Sequence, residues 1–187
     1  MTLASYNTPM RPAVFCLLLA VTLSAQATPE NSTADRLKSI LQQINLETVH
    51  KPTSLVIAVP TNDSASEALA AIRQMGPMLE PLVAGGRGEI AVLSYGDRIR
   101  TVQPFTSDSA AVSRAIAGLK VSGTSFAMID AVAKAISDLE TRPVYRRRIL
   151  LLIGESKALS RGLRGNQDLI DRAERSAVLI FAIAAAQ

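Results

Sequence analysis

The sequence predicts an α/β fold with a doubly wound, mostly parallel sheet flanked by helices. Two observations indicate this: four continuous apolar runs without polar alternation, and segments of helical periodicity between them. Continuous apolar runs are typical of strands covered on both faces, and strands that alternate with helices indicate βαβ units with right-handed crossovers. The four runs are Leu55–Val59, Ile90–Leu93, Ile149–Ile153 and Val178–Ile183.

One connection breaks the alternation of strands and helices. Gly96-Asp97 forms a turn signal after the second run, so residues Ile99 to Phe105 are expected to return antiparallel as the second arm of a hairpin. An antiparallel strand commonly lies at the edge of such a sheet. The sequence therefore predicts one antiparallel edge strand.

The helical segments carry apolar residues three and four positions apart. The first is expected to kink or restart at Gly76-Pro77, the second to begin after Ser107-Asp108, and the third to end before Arg142-Pro143. The apolar stripes are Leu69, Ile72, Met75 and Leu79; Val112, Ala115, Ile116 and Leu119; Ile129, Val132, Ile136 and Leu139; and Leu169, Ile170 and Ala173.

Residues 1–27 have the three-part pattern of a cleaved signal peptide. Arg11 precedes the apolar run Ala13–Leu23, and Ser24–Ala27 ends in small residues at the A-x-A positions. The apolar run is shorter than the about 20 residues that span a bilayer, so no stable membrane span is expected after cleavage. The alternatives are an uncleaved anchor and a translation start at Met10. The protein is expected to be exported, to the periplasm or beyond the cell.

The remaining chain divides into two parts. Residues 28–53 form a lead-in with a short amphipathic helix over Ala34–Leu46, and residues 54–187 form the α/β domain. The only cysteine, Cys16, lies in the leader, so the mature chain has none. This composition, with a single histidine, excludes a disulfide-rich miniprotein and a Cys/His zinc module.

Catalytic and phosphate-binding motifs are absent from the sequence. The only histidine, His50, lacks a neighbouring nucleophile, and there is no G-x-S-x-G elbow, P-loop or dinucleotide fingerprint. Gly85–Gly88 is interpreted as a turn, because it precedes a strand. Arg146–Arg148 is interpreted as a solvated loop before a buried strand. The alternative is that these arginines bind an anionic surface. We expect no enzyme activity and no nucleic-acid partner.

Polar residues cluster at the carboxyl ends of the predicted strands, where ligands bind in doubly wound sheets. These segments are Pro60–Ser64, Gly123–Ser125 and Gly154–Ser156. Their hydroxyl, amide and carboxylate groups suit a hard cation or a hydrogen-bonded partner. Helix capping also accounts for such polar residues and is the favoured explanation.

Four segments carry a resemblance to a known family: Ile90–Arg100, Val102–Asp108, Ser122–Val132 and Arg146–Ser156. With them, the chain resembles a von Willebrand factor type A (vWA) domain, in particular the bacterial exported type. The resemblance runs from about Ser54 to the C-terminus. The order of elements, including the antiparallel hairpin, is also similar.

The resemblance implies the positions of a metal-ion-dependent adhesion site, which holds Mg²⁺ in typical members. Its pattern is Asp-x-Ser-x-Ser after the first strand, a Thr in the second loop and an Asp after the fourth strand. Pro60 stands at the first Asp position, Asn62 and Ser64 at the two Ser positions, Thr124 at the Thr and Gly154 at the last Asp.

Both signature carboxylates are therefore missing, and the site is expected to be degenerate. Asp63 and Glu155 lie nearby and could compensate in a rebuilt site. We expect no cofactor, with Mg²⁺ only if the site is rebuilt. The resemblance implies a protein-binding or adhesion module whose unknown protein partner contacts Asn62, Ser64, Thr124 and Glu155.

Three alternatives remain open: metal-dependent adhesion through Asp63, Ser64, Thr124 and Glu155, a periplasmic hydrolase on a similar scaffold, and a decayed paralogue. The family usually adds a helix, a strand and a final helix after the strand that is here Val178–Ile183. The fold is therefore expected to be truncated at this end, with an exposed sheet edge.

Overall fold

A computed structural model describes the protein over residues 32–48, 51–124, 127–155, 158–159, 161–162 and 165–185. The predicted leader (residues 1–27) and His50 lie outside the described residues. Among the described residues, no helix combines the length and the apolar character that a membrane span requires.

A five-stranded mixed sheet forms the centre of the fold, in the order β3-β2-β1-β4-β5. All neighbouring pairs are parallel except β2 with β3, which is antiparallel, so the predicted fold class and the antiparallel edge strand are confirmed. The strands are β1 (Thr53–Pro60), β2 (Gly88–Tyr95), β3 (Arg100–Thr106), β4 (Arg147–Glu155) and β5 (Val178–Ala185).

Six described helices flank the sheet, and their bounds follow the sequence signals. The first apolar stripe is divided at Gly76-Pro77 as expected, because Pro77 fits the first turn of α3 (Gly76–Val83) but would break the hydrogen bonds of one continuous helix; α3 also contains Pro81. The carboxylate of Asp108 caps the next helix by accepting from the N–H groups of Ala110 (2.8 Å) and Ala111 (3.1 Å). The helices are α1 (Thr33–Thr48), α2 (Ser66–Arg73), α3 (Gly76–Val83), α4 (Ser109–Ala117), α5 (Met128–Glu140) and α6 (Gln167–Arg175).

The two faces of the sheet carry separate apolar cores. Helices α1 to α4 cover one face and helices α5 and α6 the other. Strand β4 serves both cores, since Leu151 points to the first and Leu150 and Leu152 to the second. This two-sided burial explains the continuous apolar runs in the sequence.

Helix α1, which was predicted in the lead-in, belongs to the first core. Leu37, Leu41 and Ile44 are at most 1% exposed and pack in the same cluster as the sheet residues. The Arg36 guanidinium also donates to the carbonyl oxygen of Ala184 on β5, at 3.4 Å. The lead-in helix is thus packed against the α/β fold.

The expectation of a solvated arginine loop before β4 is wrong. Arg146 donates from Nε to Ser54 Oγ (2.9 Å) and from Nη2 to the carbonyl oxygens of Thr53 (3.0 Å) and Arg87 (3.1 Å). Its Nε also lies 3.4 Å from Glu89 Oε1. This side chain therefore joins the beginnings of β1 and β2.

Arg148 is 9% exposed and plays a similar structural role on the other side of β4. Its guanidinium donates to the carbonyl oxygens of Ser176 (2.9 Å), Glu140 (3.4 Å) and Arg142. It thereby satisfies carbonyl groups at the ends of α5 and α6, where helices leave acceptors unpaired. The sequence pattern could not distinguish such arginines from solvated ones.

Candidate functional site

The candidate site lies at the carboxyl ends of β1 and β4. After β1, the N–H of Thr61 donates to the carbonyl oxygen of Tyr95 at 2.7 Å and keeps the chain beside β2. A short 3₁₀ turn over Asp63–Ala65 follows, closed by the bond from Ala65 N to Asn62 O (2.9 Å). This turn points the polar side chains of residues 62 and 64 to the same edge as the end of β4.

Asn62, Ser64 and Glu155 form one hydrogen-bonded group, here named the carboxyl-edge cluster. The Asn62 amide donates from Nδ2 to Ser64 Oγ (2.7 Å) and to Glu155 Oε1 (3.4 Å). The Ser64 hydroxyl donates to the same carboxylate oxygen. Asn62 is 7% exposed, whereas Ser64 is exposed and Glu155 half-buried. The cluster thus presents a hydroxyl and a carboxylate at the surface, supported by a buried amide.

Asp63 and Thr124, the other two predicted site residues, are exposed. Within the part of the chain that the structure describes, no hydrogen bond or ion pair joins either of them to the carboxyl-edge cluster. The loop of Thr124 is nevertheless fixed to the end of β1, because Ser122 N donates to the carbonyl oxygen of Thr61 at 2.6 Å. Thr124 therefore lies in a loop adjoining the cluster without bonding to it.

The donor set of the cluster fits Mg²⁺ poorly. The cluster offers a single carboxylate, which is the minimum of the one or two carboxylates that normally hold Mg²⁺ together with water or substrate oxygens. That carboxylate already accepts hydrogens from Ser64 and Asn62, which would have to turn away from it. Across the described residues, no group of three or more His, Cys, Asp or Glu side chains could hold a metal ion.

Tyr95 lies beneath the cluster and was not singled out by sequence analysis. Its side chain is fully buried, and its hydroxyl donates to the carbonyl oxygen of Ile153 on β4. Burial, with a smaller contribution from the negative charge of Glu155, raises the pKa of Tyr95 well above its usual range. The phenol therefore stays neutral and acts as a hydrogen-bond donor. The sequence does carry a signal for this residue: a tyrosine at the end of a buried apolar strand needs a hydrogen-bond partner for its hydroxyl.

Comparison with known proteins identifies the fold. No protein-family model and no curated protein matches the chain. Among solved structures, the chain is similar to the conserved hypothetical protein BatB from Bacteroides thetaiotaomicron, with a TM-score of 0.56 and 14% identity over 70% of this chain. It is similar to a von Willebrand factor type A protein from Catenulispora acidiphila, with a TM-score of 0.51 and 17% identity over 71% of this chain. The chain has the vWA fold.

A third similar structure contains three N-terminal domains of the type V pili tip protein Mfa5 from Porphyromonas gingivalis. The TM-score is 0.50, with 18% identity over 56% of this chain. The chain spans 65% of BatB, 39% of the Catenulispora protein and 20% of the Mfa5 structure. At these identities the similarity identifies the vWA fold only. The role of the site has to be argued from the chemistry of its residues.

Proposed function

We propose that this protein is a non-enzymatic vWA module that binds a protein partner through the carboxyl edge of its sheet, without a metal ion. The supporting observation is the carboxyl-edge cluster, in which Ser64 and Asn62 donate to Glu155. These hydrogen bonds compensate the charge that a cation balances in a metal site. The exposed Ser64 and Thr124, with Glu155, form the contact surface.

Export to the periplasm or beyond the cell is part of this proposal. It rests on the signal-peptide pattern of residues 1–27 and on the absence of cysteine from the chain after it. The fold likeness to domains of a pili tip protein is compatible with a role at the cell surface. Non-enzymatic function is supported by the lack of a nucleophile–base motif in the sequence.

Site-specific photocross-linking in the producing cells tests this proposal. A benzophenone amino acid replaces Ser64 or Thr124 in the full chain, and a matched variant carries it at Arg175, exposed at the end of α6. Irradiation at the two site positions is expected to yield one discrete protein adduct that the Arg175 position does not yield. The same adduct should form when EDTA is present during irradiation. No adduct, or the same adducts at all three positions, would overturn the proposed function.

Metal-dependent adhesion is the second candidate, because Ser64 and Glu155 contact each other directly at the edge where the family holds Mg²⁺. In this case Asp63, Ser64, Thr124 and Glu155 would supply the ligands. A thermal melt with and without millimolar Mg²⁺ or Mn²⁺ decides between the candidates, because a ligand of the native state raises the melting temperature. A shift that Glu155→Gln abolishes would support the metal site. An unchanged melting temperature would support the metal-free proposal.

A further inference from the structure

A groove of about 520 Å³ lies next to the carboxyl-edge cluster. Its walls are the β2–β3 turn, the beginning of β3 and the loop that follows α4. The volume is within the range of about 300–1,000 Å³ that is typical of ligand sites. The sequence analysis assigned no function to this groove.

The charged side chains of the groove are mostly basic. Arg98, Arg100 and Lys120 line it, together with one acidic residue, Asp97. All three basic residues are exposed, and none forms a hydrogen bond or ion pair with another side chain in the described part of the protein. Arg146 and Arg148, by contrast, donate to hydroxyl and backbone carbonyl oxygens, and Arg146 also pairs with the carboxylate of Glu89. The groove therefore carries three basic side chains that form no ion pair within the described part of the protein.

The groove and the carboxyl-edge cluster are neighbours at the same edge of the sheet. Thr61 and Ser122 both line the groove, and Ser122 N donates to Thr61 O at 2.6 Å. Thr61 directly precedes Asn62 of the cluster. The cluster and the groove are thus linked through Thr61 and its neighbour in the chain.

The rim of the groove favours a peptide over a small free anion. Val121, between the lining residues Lys120 and Ser122, is 41% exposed and offers an apolar contact. Basic groups beside an exposed apolar side chain complement a peptide segment that carries carboxylates together with apolar side-chain atoms.

We propose that this groove binds an acidic segment of the partner protein, with its Asp and Glu side chains paired to Arg98, Arg100 and Lys120. This inference rests on the proposed function, since it assigns a chemical character to the partner of the same edge. Charge-assisted hydrogen bonds from guanidinium and ammonium groups to carboxylates would hold the segment. Because the cations are exposed, its binding should weaken as salt increases.

Fluorescence anisotropy with a fluorescein-labelled hexaglutamate peptide and the full chain tests this inference. The groove variant is Arg98→Gln/Arg100→Gln/Lys120→Gln. The matched control is Lys38→Gln/Lys51→Gln/Arg175→Gln, which removes the same charge at exposed positions elsewhere. We expect the groove variant to bind at least tenfold more weakly and the control to change binding by less than twofold. Labelled hexaglutamine should not bind, and thermal melts verify that both variants fold.

Three results would overturn the inference: no binding of hexaglutamate, equal losses in both variants, or equal competition by inorganic phosphate, which would indicate a general anion site. The outcome is separable from that of the proposed function. A partner cross-linked through Ser64 at the same yield in the groove variant would leave the proposed function standing and refute the acidic segment. Hexaglutamate binding that depends on the groove, without any cross-linked partner, would refute the proposed function alone.

Discussion

The hydroxyl oxygen of Tyr95 lies 2.9 Å from the position that a Cβ atom would take on Gly154. Side chains do not normally approach so closely, so the buried phenol occupies the space that a residue at position 154 would need. The resemblance to vWA domains places the last metal-binding Asp at this position. A residue larger than glycine at position 154 and the buried tyrosine hydroxyl therefore compete for the same space, and the acidic group at this edge is Glu155.

Gly154→Ala is expected to destabilise the protein by about 1–3 kcal/mol, because the added methyl group displaces a side chain that has no free space. Tyr95→Phe removes the nearest atom and should reduce this cost, although it also removes the hydrogen bond to Ile153. A double-mutant cycle by urea unfolding should give a coupling of about 0.5–3 kcal/mol between the two positions. Additive effects would show that the hydroxyl does not restrict residue 154.

A second prediction concerns helix α1. Leu41 is 1% exposed and Leu46, in the same helix, is 72% exposed. Leu41→Ala should lower the free energy of unfolding by about 2–5 kcal/mol, because it leaves a cavity in the core shared with the sheet. Leu46→Ala is the matched control and should change it by no more than about 0.5 kcal/mol. Similar small effects at both positions in urea unfolding would show that α1 does not pack on the sheet in solution.

Gly88 provides a third prediction, at the beginning of β2. A Cβ atom there would lie 1.7 Å from the carbonyl oxygen of Leu82, which is backbone and cannot rotate away. Gly88→Ala should therefore cost about 3 kcal/mol or more. At Gly118 an added Cβ would meet only ordinary contacts, the nearest at 3.4 Å, and φ is −76°.

Gly118→Ala is consequently the matched control, with an expected gain of about 0.4–1 kcal/mol from the reduced freedom of the unfolded chain. Differential scanning calorimetry of both variants compares them directly. A Gly88→Ala protein that melts at the wild-type temperature would contradict the close approach of β2 to the end of α3.

The sheet was predicted well because strands that are buried on both faces have uninterrupted apolar runs in the sequence. Leu150 and Leu151 face opposite cores, so neither position tolerates a polar residue. The turn at Gly96-Asp97 likewise predicted the antiparallel strand, since local turn chemistry fixes a hairpin. These signals are local in the chain.

The site was less predictable because its contacts are distant in sequence. Ser64 and Glu155 lie 91 residues apart, and only the meeting of β1 and β4 in the sheet brings them together. Arg148 was misinterpreted because its acceptors, the carbonyl oxygens of Glu140 and Ser176, are brought to it by the ends of two different helices. A charged residue beside an apolar run does not reveal whether it is solvated or paired.

The last prediction concerns stability in acid and the ion pair between α5 and α6. Glu140 accepts hydrogen bonds from Arg172 (3.0 and 2.5 Å) and from Ser176 (2.6 Å). The hydrogen bonding from Arg172 is the largest cause, followed by that from Ser176, and the pKa of Glu140 is lowered from 4.5 to about 2. A carboxyl whose pKa is lower in the folded state contributes stability above its unfolded pKa and loses that contribution as the pH falls.

Glu140→Gln should therefore melt below wild type at pH 7, and the difference in melting temperature should persist to about pH 5. Between pH 4.5 and pH 2 the difference should shrink, since the unfolded wild-type chain takes up a proton that the folded chain resists. Glu174→Gln, which removes a carboxylate at an exposed position of α6, is the matched control. Melting curves at pH 7, 5 and 3 make the comparison, and a constant difference for Glu140→Gln would contradict the assigned ion pair.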